Sequence, residues 1–200
     1  MAKLYFKYGA MGSSKTAQAL ITKFNYEERG MSVWLIKPST DTRDGAATVR
    51  SRIGLSAEGD IITPTDDLFA RFCDGHDRDD VVIADEAQFF TPEQAEQLFM
   101  VTVDLNIPVI CYGLRTDFSL HGFPGSTRLL ELAHTIEEMK TICFCGRKAI
   151  CNCRKVNGQF VFEGEQVAID LENDVQYVSM CPQCYFRAKR EFYARQKNQK

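Results

Sequence analysis

Lys15 and Thr16 close the stretch Gly9-Ala10-Met11-Gly12-Ser13-Ser14-Lys15-Thr16, which follows the apolar run Leu4-Tyr5-Phe6 and precedes a helix-patterned segment. The spacing is that of a phosphate-binding loop, G-x-x-x-x-G-K-[ST], with Ser14 where the second glycine is expected. In such a loop successive backbone N–H groups and a helix start face the phosphates of a nucleotide. The lysine reaches the terminal phosphates as a point charge, and the threonine hydroxyl holds Mg2+. Ser13, Ser14 and Thr16 are also good helix starters, so a glycine turn with an N-cap is the competing reading of this loop taken alone.

Asp85 and Glu86 form the second chemical pair, at the end of the apolar run Val81-Val82-Ile83-Ala84 and before Ala87-Gln88-Phe89. An acid at the end of a buried strand beside a phosphate loop can contact Mg2+ while the metal bridges phosphate oxygens, which is the use expected of Asp85. Glu86 can take a proton from an attacking hydroxyl. The stretch superficially resembles the acidic box of helicases. A nucleic-acid motor needs two such domains and further arginine motifs, for which 200 residues are too few. A small-molecule kinase needs only a phosphate loop, a metal-binding acid, a base and an acceptor pocket.

Eight cysteines are present, crowded toward the C-terminal third. In a reducing compartment such clustering points to metal before disulfides. Cys143 and Cys145 form one close pair and Cys181 and Cys184 another, and four thiolates in two pairs suit a closed, structural zinc site. Cys151 and Cys153 are a rival pair, so counting alone does not fix the ligands. Cys143 and Cys145 are preferred because the chain between can loop out and return at Cys181. Cys73 and Cys111 read as buried thiols.

These groups need a frame. Apolar runs at residues 4–8, 32–36, 61–63, 81–84, 108–112 and 135–139 read as strands. Helical patterns fall at 16–29, 91–103 and 127–133. The first has Ala17, Leu20, Ile21 and Phe24 on one face and Gly30 as its cap; the second starts at Thr91-Pro92-Glu93. Strands alternating with crossover helices predict an α/β fold, a mostly parallel sheet with helices on both faces and ligands at the carboxyl ends of the strands. Residues 1–139 form this domain. Residues 140–193, polar and cysteine-rich, form a small zinc-binding domain that includes a substrate-closing loop, and 194–200 a polar tail. His134 reads as strand-edge packing and His121 as a loop residue.

Composition agrees: 44% hydrophobic and 26% charged residues suit a globular chain. There is no run of 18 apolar residues to span a membrane, and no signal peptide pattern at the start, which predicts a cytoplasmic protein. A net charge of −3 gives no support for nucleic-acid binding.

With the loop, the acid pair and the cysteine pairs in this order, the chain resembles the zinc-containing thymidine kinases from about residue 3 to 193. The resemblance also rests on Lys37-Pro38-Ser39-Thr40-Asp41-Thr42-Arg43, on Asp85 through Phe90, on Cys143-Phe144-Cys145-Gly146-Arg147-Lys148-Ala149, and on Tyr177-Val178-Ser179-Met180-Cys181. It implies a P-loop NTPase-type fold and transfer of the γ-phosphoryl group of ATP to the 5′-hydroxyl of thymidine. Gly9 to Thr16, Asp85, Glu86, Ala87, Gln88, Asp41 and Arg43 would bind ATP and Mg2+, with Glu86 the general base. Met11, Phe89, Phe118, Asn152 and Tyr177 would line the nucleoside pocket. Residues 155–177 would be the loop that closes over thymidine. A homotetramer and feedback inhibition by dTTP are implied too. The departure lies at Ile169-Asp170-Leu171-Glu172-Asn173-Asp174, where relatives commonly carry a Gly-Gly pair and a path to the tyrosine shorter by about two residues. A kinase for another deoxynucleoside, or a nucleotide-dependent binding protein, is the alternative.

Overall fold

The computed structural model describes residues 1–40, 47–166 and 174–198. Asp41 and Arg43, and residues 169–173 of the departing loop, lie outside the described residues. The chain divides into two compact units. One comprises Met1–Tyr8, Ser14–Arg115 and Phe123–Met139; the other comprises Gly9–Ser13, Thr116–Gly122 and Lys140–Lys200.

The first unit is built in the order β1 (Leu4–Tyr8), α1 (Lys15–Glu27), β2 (Val33–Pro38), β3 (Thr48–Arg50), β4 (Ser56–Glu58), β5 (Asp60–Ile62), α2 (Leu68–Gly75), β6 (Val81–Ala84), α3 (Pro92–Asp104), β7 (Val109–Gly113), α4 (Pro124–Leu132) and β8 (Thr135–Glu138). Six strands form one sheet in the order β5-β2-β6-β7-β1-β8, and every pairing in it is parallel. Because successive residues of a strand face opposite sides, the apolar runs feed two cores. Leu4, Phe6, Trp34, Ile36, Val82, Ala84, Val109 and Cys111 pack with Leu68, Phe72, Leu98 and Leu129 of α2, α3 and α4. Leu35, Val81, Ile83, Ile110 and Tyr112 pack with Ala19 and Leu20 of α1. Strands buried on both faces explain why β2, β6 and β7 read as continuous apolar runs.

Helix ends follow their sequence signals. Thr91 and Gln94 form a reciprocal capping box, the Thr91 hydroxyl accepting from Gln94 N and Gln94 Oε1 accepting from Thr91 N, both at 3.1 Å. After α1, Gly30 adopts φ +75°, and Met31 N donates to Tyr26 O at 3.2 Å while Gly30 N donates to Glu27 O at 2.9 Å. That is the paired closure in which glycine is favoured just past the helix.

Two expectations need correction. Ile21 and Phe24 were placed on the inward face of α1, yet they are 41% and 60% exposed, and the helix buries Ala17, Ala19 and Leu20 instead. The inward stripe is narrow because small alanines meet the sheet. Cys73, expected to be buried, is exposed on α2. Helix α2 and the β3–β4 hairpin had no counterpart in the sequence reading. The start of α2 is nonetheless signalled by Asp67, whose carboxylate accepts from Ala70 N at 3.0 Å.

The second unit holds the hairpin β9 (Thr141–Ile142) and β10 (Lys148–Ala149). It also holds the antiparallel sheet β12-β11-β13, formed by β11 (Cys151–Val156), β12 (Gln159–Val161) and β13 (Val175–Met180), and helix α5 (Pro182–Asn198). Its core gathers Ala149, Cys151, Cys153, Phe162, Met180, Tyr185 and Ala188. Helix α5 runs through most of the segment read as a polar tail. Among the described residues no helix is long and apolar enough to cross a membrane.

Candidate active site

In the first unit, Lys15 and Thr16 begin α1, and Ser14 precedes them in the left-handed region at φ 59°, ψ 28°. This is the conformation for which the motif specifies glycine. Ser14 adopts it without a side-chain cap, its carbonyl accepting from Gln18 N at 2.9 Å. Lys15 is 8% exposed and Asp85 4%, so both charges are withdrawn from water.

Asp85 follows β6 and accepts a hydrogen bond from the Thr16 hydroxyl. Its Oδ1 is buried without a hydrogen-bond partner, alone in this among the side-chain oxygens and nitrogens of the described residues. A buried polar atom left unmatched is costly unless something else satisfies it, and a carboxylate oxygen beside a threonine hydroxyl suits a hard cation. Burial first, and then the Glu86 charge, push the Asp85 carboxyl up to about 7, against the lowering effect of Thr16 and Lys15.

Glu86 is half-buried and sits at φ 49°, ψ 36°, where a non-glycine residue is strained. Gln88, 1% exposed, fixes it: its amide nitrogen donates to Glu86 Oε2 at 2.5 Å and its amide oxygen accepts from Leu114 N at 2.9 Å. Ala87 is fully buried in the same short turn. Phe89 is half-buried and meets Phe123 edge-on at 5.6 Å. Gly125 at the start of α4 permits this turn, because a Cβ there would lie 2.4 Å from Phe90 O.

In the second unit, Met11 is held at both backbone groups. Its N–H donates to Asn152 Oδ1 at 2.8 Å, and its carbonyl accepts from the Ser179 hydroxyl. Gly12 O accepts from Thr141 Oγ1 at 3.2 Å. Asn152 is 3% exposed, and its Nδ2 donates to Thr116 O at 3.0 Å, so its amide is engaged at both ends. Phe118 is buried beneath the Arg154 guanidinium, and Tyr177 is half-buried on β13 opposite Arg154. Sequence reasoning did not single out Arg154, Asp117 or Ser179; a cation and an acid inside otherwise apolar, cysteine-rich surroundings were the available signal.

The sulfur atoms of Cys143, Cys145, Cys181 and Cys184 lie within 4.8 Å of one another, a set that could hold a metal such as zinc. Gly146 at φ +83° turns the first pair, with Gly146 N donating to Cys143 O and Cys143 N to Arg147 O. Cys181 begins α5, where the Cys184 backbone N–H first of all brings its thiol down to about 6, while burial pushes Cys184 up to about 12. The rival Cys151 and Cys153 sit on β11 opposite Met180 and Val178, in the apolar core. His134 accepts from Leu4 N at 3.0 Å and stacks on Phe99, the packing role expected of it.

A glycine loop opening a helix, a buried carboxylate after the neighbouring strand and an all-parallel sheet define a nucleotide-binding α/β protein of the P-loop class. More narrowly, the chain belongs to the thymidine kinase family, whose profile matches residues 2–185. It is 47% identical over 184 residues to the thymidine kinase of Ruegeria pomeroyi, covering 90% of this chain and 92% of that one. It is 46% identical over 195 residues to that of Legionella pneumophila subsp. pneumophila, covering 96% and 92%. The thymidine kinase of Enterobacteria phage T4 is 45% identical over 184 residues, covering 90% and 94%.

Proposed function

We propose that this chain transfers the γ-phosphoryl group of ATP to the 5′-hydroxyl of thymidine, giving dTMP. The observation that carries the chemistry is the partnerless, buried Oδ1 of Asp85 beside Thr16. Asp85 and Thr16 would hold Mg2+, which when bound with ATP bridges and neutralises phosphate oxygens. Lys15 and the amides of Gly9 to Ser14 receive the phosphates, with Ala87 and Gln88 behind them. Glu86, oriented by Gln88, accepts the proton of the 5′-hydroxyl as it attacks. Asp41 and Arg43 are assigned to the phosphate end on the family resemblance.

The nucleoside base falls to Met11, Phe89, Phe118, Asn152 and Tyr177. A flat pyrimidine suits apolar aromatic contact. The four clustered thiols take structural zinc, which leaves no position for water or substrate. A cytoplasmic homotetramer inhibited by dTTP completes the reading. The test is ATP consumption with thymidine, deoxyuridine, deoxycytidine and no acceptor. Turnover strongest with thymidine supports the proposal; a preference for deoxycytidine reassigns the base, and equal turnover without acceptor overturns the transfer reaction.

A further inference from the structure

Arg154 carries its charge on β11 at 4% exposure. Its guanidinium carbon lies 3.7 Å from the centre of the Phe118 ring and 5.6 Å from that of Tyr177. Its Nε donates to the Tyr177 hydroxyl at 3.2 Å, and one terminal nitrogen donates to the carbonyls of Glu165 at 2.6 Å and Gln166 at 3.1 Å. The Gln166 side chain in turn donates to Asp117 Oδ2 at 3.1 Å. The other oxygen of Asp117 accepts from Ser119 N and Oγ at 2.8 Å and from His121 N at 3.0 Å. Finally, the Tyr185 hydroxyl donates to Phe118 O at 2.7 Å.

Phe118 is therefore fixed on its ring face, at its carbonyl and through the neighbouring Asp117. Burying a guanidinium is costly, and a well-packed apolar residue would hold a sheet together as well or better. What only arginine supplies here is a flat cationic face for an aromatic ring together with donors aimed in several directions. We propose that Arg154 is the positioning residue of the nucleoside pocket, setting the Phe118 ring and the Tyr177 hydroxyl in the attitude that receives the base. The inference rests on the reading above, which gives Phe118 and Tyr177 to the base.

Steady-state kinetics of the full-length, zinc-loaded protein test it, with thymidine and ATP each varied. Arg154→Lys keeps the charge but loses the flat face and the divergent donors. It should raise the thymidine KM about tenfold, with kcat and the ATP KM within about twofold. Tyr177→Phe removes one of the partners, so the double variant should raise that KM by less than the product of the two single effects. An unchanged thymidine KM in Arg154→Lys, or a parallel loss of kcat, ATP affinity and thermal midpoint, overturns the proposal. NMR of phenylalanine-labelled protein, with Phe118 assigned through Phe118→Leu, gives a readout free of substrate. The Phe118 ring signals should shift in Arg154→Lys, and unmoved signals overturn the clamp whatever the enzyme acts on. Wild-type protein that leaves thymidine untouched while those signals shift overturns the proposed function and the pocket role, and keeps the clamp.

Discussion

Gln88 grips Glu86: its amide donates to Glu86 Oε2 at 2.5 Å while its oxygen takes the N–H of Leu114 at the end of β7. A base whose carboxylate is held by a buried amide needs no reorientation when a hydroxyl arrives. Glu86→Gln retains the shape and loses the proton acceptor. It should lower kcat by about 10²–10⁴-fold with ATP and thymidine binding retained, since general-base assistance has that size. Rapid-quench measurement of dTMP formation decides it, and turnover at the wild-type rate would remove Glu86 from the mechanism.

Asp85 makes a prediction about pH. Its carboxyl rises from an ordinary 3.8 to about 7 on folding, chiefly through burial. Between those limits the folded protein binds more protons than the unfolded chain, so this group makes stability fall as pH rises, by up to about 1.4 kcal/mol per pH unit. Asp85→Asn removes the effect. Without Mg2+ and nucleotide, the variant should gain on wild type from pH 5 to pH 8 in urea titrations and be catalytically dead throughout. A stability gap that does not move with pH refutes the assignment.

Ser14 holds a left-handed backbone without a cap to compensate. The conformation costs a non-glycine residue about 1–2 kcal/mol, and glycine returns about 0.5–1 kcal/mol of that in unfolded-chain entropy. Ser14→Gly should therefore stabilise the protein by roughly 0.5–1 kcal/mol, with nucleotide binding kept. Ser14→Val should do the reverse. Denaturation midpoints of the three proteins give the ranking.

For the cysteines the expectation is one zinc per chain. Cys145→Ser should lose the metal, and chelation should melt the second unit, because a structural metal contributes folding free energy directly. Cys153→Ser should keep it, since Cys153 lies in the core away from the cluster. Elemental analysis of both variants separates the pairs.

Much of the frame was legible because its signals are local. The strands β1 and β6 are uninterrupted apolar runs, and Thr91-Pro92 announces α3 within three residues. Short elements such as β3 and β4 carry too few residues for a period to show. The inward face of α1 was misjudged because hydrophobicity favours isoleucine and phenylalanine, whereas close approach to a sheet favours alanine. The cysteine pairs could be counted but not chosen between, since the choice depends on β11 register. The place of Arg154 was invisible for the same reason: it follows from Tyr177 lying opposite across the sheet and from a loop at Phe118.

Strand β13 is fastened from its downstream end. Met180 pairs with Cys151, Ser179 holds Met11 O, and Cys181 follows at once with the thiol cluster. A slip of one residue would turn every side chain to the opposite face. Extra residues arriving upstream cannot be taken up by sliding this strand, so they must be accommodated before Val175. The chain can thus lengthen its path between Gln166 and Val175 without disturbing Tyr177, which leaves that stretch free to diverge while the strand after it stays anchored.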